Sequence, residues 1–246
     1  MTGPSGGVVS PPASAGGAAK PEAHAIALAA LPANLRGRVP EFAPAPPATK
    51  VELPTDGTAG WFSRIPTTQR VAFITIDDGW VRHPLALKLL QAADVPVTLF
   101  LETDAIRSDP RFFGRLESAG ATIENHTISH PDLKGRSYAA QKHEICGGAD
   151  QLAGFYGRRP TLFRPPFGTH DATTLRAAHD CGMKAAFSWK ATTNKGKVRF
   201  QDGPGVKPGD IILMHFRDRF PDDFLGVLQA IHKAGLIPAR LEDYIP

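Results

Sequence analysis

Two adjacent carboxylates, Asp77 and Asp78, stand at the end of an apolar run that begins at Val71. Taking one carboxylate out of water is costly, and two side by side cost more unless a cation or hydrogen bonds compensate. A pair placed where a buried strand reaches the surface therefore points to chemistry, with a turn or a helix cap as the plainer reading. Two imidazoles, His126 and His130, are spaced i to i+4. On one turn of helix that spacing puts both rings on one face, where they can share a divalent ion. Two unrelated surface histidines would have the same spacing. Arg164 precedes Pro165, Pro166, Phe167 and Gly168. The prolines fix the backbone and remove two donors, so the Phe167 amide is the next one free. A rigid loop with one free amide beside an arginine can stabilise developing negative charge, although an ordinary rigid turn would read the same. His215 ends the apolar run that starts at Ile211. A lone histidine there is usually a satisfied core residue, and becomes a candidate general acid only if the other groups meet it.

The elements that must position these groups follow from the alternation of apolar runs with helical patterns after Thr67. Strands are expected at 71–76, 97–101, 122–124, 161–164, 184–188 and 211–215, with a shorter one at 236–238. Helices are expected near 84–93, 109–119, 138–156, 172–181 and 222–234, four of them followed by Gly120, Gly157, Gly182 and Gly235. Glycine is favoured just past a helix C-terminus. Repeated βα units argue for an α/β fold with a mainly parallel sheet, and six or seven units in this length suit a barrel. A parallel barrel delivers every strand end to one face, where active sites form. Asp77, Asp78, His126, His130, Arg164 and His215 all lie at such ends, so they are expected to converge.

This ordered set resembles the polysaccharide deacetylase family, also called the NodB-homology domain or carbohydrate esterase family 4. The family's TFDDG motif is matched by residues 75–79 with Ile76 in place of Phe, and its H-S/T-x-x-H motif by residues 126–130. Its R-x-P-Y/F-G-like motif is matched by residues 164–168, and its strand ending L-x-H by residues 213–215. The resemblance spans residues 67 to 245 and implies a distorted (β/α) barrel with fewer than eight strands. It further implies that Asp78, His126 and His130 bind one divalent metal, zinc in the usual case and cobalt or nickel in others. Asp77 would be the general base toward a water, oriented by Arg164. The Phe167 amide would donate to the oxyanion, and His215 would protonate the departing amine. Relatives carry an Asp-Trp segment after the strand that ends here at Trp189, and its Asp partners the acid histidine. Residues 189–195 contain no carboxylate. Asp202 and Asp218 are the candidates to replace it; without one, the imidazolium of His215 loses a favourable charge. Trp189 would wall the substrate groove, with a plain core role as the alternative.

The implied activity is hydrolysis of N-acetyl groups on an N-acetylglucosamine polysaccharide of peptidoglycan or chitin type. An O-acetyl xylan esterase of the same mechanism, a carbohydrate-binding protein on the same fold and a cytosolic hydrolase of a small amide are the rivals. At 246 residues, 42% hydrophobic and 21% charged, the composition is that of a globular protein. The net charge of +4 is too balanced to argue for nucleic acid. No apolar run reaches membrane-spanning length, so contact with a membrane would need an anchor outside this chain. A monomer is expected. Residues 1–50, rich in Pro, Ala and Gly, read as a disordered N-terminal stalk with one short helix at 23–31, followed by a lead-in at 51–66 and the catalytic domain at 67–246. Cys146 and Cys181 read as two small buried hydrophobes, or as a disulfide if the domain is exported. No export signal is legible after Met1. The protein is thus expected outside the cell or at its wall with that signal elsewhere, or else in the cytoplasm.

Overall fold

Between Val71 and Ile76 only Thr75 is polar, and such a run needs cover on both faces. The computed structural model, which describes residues 19–246, supplies that cover. Its strands are β1 (Gly60–Phe62), β2 (Val71–Asp78), β3 (Val97–Leu101), β4 (Ala121–Asn125), β5 (Leu162–Phe163), β6 (Ala185–Phe187), β7 (Ala191–Asn194), β8 (Lys197–Phe200), β9 (Ile211–His215) and β10 (Ile237–Pro238). Its helices are α1 (Ala19–Ala29), α2 (Ala33–Arg36), α3 (Ala86–Ala93), α4 (Thr103–Ile106), α5 (Pro110–Ser118), α6 (Tyr138–Tyr156), α7 (Ala172–Asp180) and α8 (Phe220–Lys233). The sheet runs β1-β6-β5-β4-β3-β2-β9-β7-β8, with β10 added beside β2. Every pairing is parallel except the β7–β8 hairpin. The path ends at β1 and β8, so this is an α/β barrel left open.

The seven strands expected from the sequence are all present, as β2, β3, β4, β5, β6, β9 and β10, and they are the ones that alternate with helices. β1, β7 and β8 are additions. Strand period decides which side chains enter the barrel. Phe73, Phe100, Phe187 and Ile211 pack inside with Tyr244. Ala72, Ile74, Ile76, Leu99 and Leu101 face out, under the apolar faces of α3, α5 and α8. Asp77 is in phase with Phe73 and Thr75, so β2 carries its carboxylate to the inside.

The stalk reading is corrected from Leu31 onward. Leu31 and Leu35 are 2% and 7% exposed within the main core. Phe42 meets the His232 ring edge-on at 5.8 Å, and Arg38 pairs with Asp222 at 3.1 Å. The Pro/Ala composition hides a few well-spaced apolar side chains, sufficient to bind the segment across α3 and α8. The part of the stalk reading that falls on residues 1–18 lies outside the described residues. Burying two leucines contributes about 4 kcal/mol. Deleting residues 1–50 is therefore expected to lower the Tm by roughly 5–15 °C, read by calorimetry. Cys146 and Cys181 are disulfide-bonded, which corrects the reading as two unlinked hydrophobes. The bond joins α6 to the C-cap of α7, with a Cα separation of 4.9 Å.

Glu242 is half-buried, with its Oε2 enclosed, near the buried carboxylate of Glu124, and accepts from Thr98 Oγ1 at 2.7 Å. Burial first, and the charge of Glu124 next, push its carboxyl up to about 7. A folded-state value above the unfolded one stabilises fully at pH below the unfolded pKa, and the contribution is lost as pH rises through the folded value. Glu242→Gln is expected to exceed the wild type at pH 8 by about 1–2 kcal/mol and to match it near pH 4. Urea titrations at the two pH values check this.

Candidate active site

β2 ends in Asp77 and Asp78, and strict alternation would point them to opposite faces. Asp78 has φ 75°, a left-handed conformation costly for a residue other than glycine. That turn swings its carboxylate back to the side of Asp77. The expected helical pairing of His126 and His130 is corrected: residues 126–130 form a loop after β4, with Thr127 at φ 74° and His130 at φ 57°. The backbone bends, where a helical turn was expected, and brings the rings to a centroid separation of 4.8 Å. Asn125 accepts from the Thr127 amide, and Thr127 Oγ1 accepts from the His130 amide. Glu144 on α6 accepts from the amides of Ile128 and Ser129, both at 3.0 Å. A Cβ at Gly148 would lie 2.6 Å from Asn125 Oδ1, so α6 can approach this loop only with glycine there.

Asp78 Oδ1 lies 3.5 Å from His126 Nε2 and 3.8 Å from His130 Nε2. It is buried and has no hydrogen-bond partner. One donor atom from each of the three residues falls within 4.8 Å of the others. Ligand bonds of about 2.1 Å around a tetrahedral centre set donors about 3.4 Å apart. The three side chains thus fit a divalent cation and leave a position open. His126 Nδ1 is 2.7 Å from the Arg164 carbonyl, so its Nδ1 carries the proton and Nε2 is left to bind. Burial pushes the Asp78 carboxyl up, but contact with His126 and the charges of the three imidazoles outweigh it and hold it below its ordinary value.

Arg164, fully buried at the end of β5, donates from Nη1 to Asp77 Oδ1 and to Thr75 Oγ1, each at 2.7 Å. Its Nη2 donates to the Ser188 carbonyl at 3.2 Å, and the guanidinium lies 4.4 Å from the centre of the Phe100 ring. Asp77 is 2% exposed. Its second oxygen, Oδ2, is 3.7 Å from His126 Nε2. Phe167 sits at φ 61° after the two prolines, its ring exposed and 4.8 Å from that of His130. His215 stands opposite Asp77 in the β2–β9 register. Burial depresses its imidazole, with the charges of Asp77 and Asp78 opposing. Its Nδ1 is buried without a partner. Neither proposed substitute reaches it: Asp202 pairs with Lys190 at 3.0 Å and Arg64 at 3.7 Å, while the charge of Asp218 acts on His83. Trp189 is half-buried, and a Cβ at Gly168 would touch its ring at 3.0 Å, so it props the 164–168 loop from below.

Asn125, Glu144 and Glu102 escaped the motif reading, and Thr75, though inside the first motif, was given no role of its own. Glu102 follows β3, donates its amide to the Asp78 carbonyl and is 3% exposed. The glycine pair Gly147–Gly148 inside α6 was the one readable sign of a close approach.

Residues 64–186 match the family model described as polysaccharide deacetylase. The chain is 38% identical over 187 residues to an uncharacterized protein of Streptomyces coelicolor, covering 73% of this chain and 74% of that one. It is 26% identical over 160 residues to a peptidoglycan-N-acetylmuramic acid deacetylase of Bacillus subtilis, covering 61% of each. A carbohydrate esterase family 4 pseudoenzyme from Bacillus anthracis superposes with a TM-score of 0.67 at 20% identity, over 77% of this chain and 70% of that one. At that identity the likeness speaks to fold.

Proposed function

The chain belongs to the polysaccharide deacetylase family, and from that premise we propose that it hydrolyses N-acetyl groups on an N-acetylglucosamine polysaccharide of peptidoglycan or chitin type. The observation that carries this reading is a buried carboxylate, Asp77, fixed by Arg164 beside a cluster of three metal-ligating side chains. Asp78, His126 and His130 would hold a divalent ion, zinc by preference given one carboxylate and two imidazoles. When bound, it supplies Lewis acidity and lowers the pKa of a coordinated water. Asp77 takes a proton at Oδ2 from the attacking water as that water's oxygen bonds to the amide carbonyl carbon, and the carbon–nitrogen bond then breaks. Its other oxygen is already occupied by Arg164, so the base cannot turn away. The Phe167 amide, set by its left-handed φ, donates to the oxyanion. His215 gives a proton to the departing nitrogen. The disulfide and the wall substrates named for relatives support a place outside the cell. Among the described residues no helix is long and apolar enough to cross a membrane.

One observation favours a second reading. The unpartnered Nδ1 of His215 weakens the proposed acid, and that suits a carbohydrate binder with little turnover. Acetate release from an N-acetylglucosamine hexamer, peptidoglycan and acetylated xylan, with zinc, cobalt or nickel added, decides among them. Release from the hexamer or peptidoglycan supports deacetylation. Release from xylan alone makes the protein an O-acetyl esterase, and none from any pairing makes it a binder.

A further inference from the structure

Among the described residues four large apolar side chains are strongly exposed, and two of them, Trp80 at 60% and Phe167 at 62%, border the site. They stand on opposite sides of the histidine pair. The sheet order β5-β4-β3-β2 puts the strand that delivers His126 between the Phe167 loop and Glu102. Trp80 is tied to that second side, because its indole Nε1 donates to Glu102 Oε2 at 3.0 Å.

The indole is held in place at several points. Glu102 is buried and joined to Asp78 through the backbone, so the ring is anchored to the metal-binding strand end itself. Arg82 donates to the carbonyls of Trp80 at 3.2 Å and Ala105 at 2.8 Å, and to Ser108 Oγ at 2.9 Å. Those bonds pin the segment after the Asp pair onto α4. Gly79, at φ 125°, lets the chain pass so close to α4 that a Cβ there would lie 2.5 Å from Ile106 Cγ2. With its N–H already engaged by protein, the indole presents an apolar face to a ligand and no free donor. A fixed, exposed aromatic face beside a reacting centre suits the C–H face of a pyranose ring, and its ordering entropy has already been met in the free protein.

We propose that Trp80 is a stacking platform for a sugar ring flanking the one that is deacetylated, so that recognition extends along a polymer past the metal site toward β3. This rests on the polysaccharide reading above. Trp80 is a specificity residue and touches no reacting atom.

The test compares wild type, Trp80→Ala and Trp80→Phe on two substrates, an N-acetylglucosamine hexamer and 4-nitrophenyl acetate, which has no sugar to stack. Trp80→Ala is expected to lose about tenfold or more in kcat/KM on the hexamer, chiefly through KM, and to stay within about twofold on the ester. Trp80→Phe should recover most of the loss. An unchanged hexamer value, or an equal loss on both substrates, overturns the proposal. Calorimetric titration of the hexamer into Asp77→Asn protein, with and without Trp80→Ala, reads the platform without turnover. A Kd about tenfold weaker with the alanine supports it, and an equal Kd overturns it. If the wild type releases no acetate while Trp80→Ala still weakens hexamer binding, the deacetylase reading fails and the platform stands.

Discussion

Asp77→Asn keeps its metal and loses its chemistry: kcat is expected to fall by about 10³-fold or more, the scale of removing a positioned general base. The substitution is nearly isosteric. An asparagine oxygen still accepts from Arg164, so the 2.7 Å contact that organises the inside of the barrel can persist. The ligands Asp78, His126 and His130 are untouched, so metal stoichiometry should match the wild type. What disappears is the ability of Oδ2 to take a proton. Acetate release under single-turnover conditions, paired with metal analysis of the same sample, separates the two effects. Turnover within about tenfold of wild type would remove Asp77 from the role of base.

Arg164→Met has the largest expected effect on stability. The guanidinium is fully buried and satisfies Asp77, Thr75 and the Ser188 carbonyl at once. Methionine fills much of the volume and leaves the Asp77 carboxylate buried without its cation. Breaking a buried pair on one side costs about 3–5 kcal/mol. The base would also lose the 2.7 Å contact that holds it in position. Both stability in urea and kcat should fall. Adding Asp77→Asn removes the stranded charge and should return part of the stability with none of the activity. A single-mutant loss below about 1 kcal/mol would mean that the pair is not the organising contact.

Much of this was readable before any coordinates, and for a physical reason. A parallel barrel converts chain order into spatial convergence, so polar residues at successive strand ends must meet. Asp77, Asp78, His126, Arg164 and His215 were placed together on that ground, and they do surround one centre. Local geometry was less legible. The i to i+4 spacing of His126 and His130 suggests a helix, but Glu144, distant in sequence, and Asn125, just before the pair, stabilise a bent loop in its place. β7 and β8 are short and polar, and exist because Lys195 and Gly196 both adopt positive φ in a tight hairpin turn. The N-terminal segment looked unfoldable by composition, which averages over the few leucines that bind it to the domain. A disulfide depends on two cysteines meeting across a helix pair, and spacing alone cannot report that. Asp202 and Asp218, the aspartates that the sequence offers His215, are engaged elsewhere: the first pairs with Lys190, and the charge of the second acts on His83.

Stoichiometric metal binding tests the central claim most directly. Protein stripped with a chelator and titrated with zinc should take up one equivalent, and Asp78→Ala and His126→Ala should each abolish that uptake while remaining folded. No saturable uptake by the wild type, or an isotherm left unchanged by Asp78→Ala, would contradict the assignment of this centre and the hydrolysis built on it.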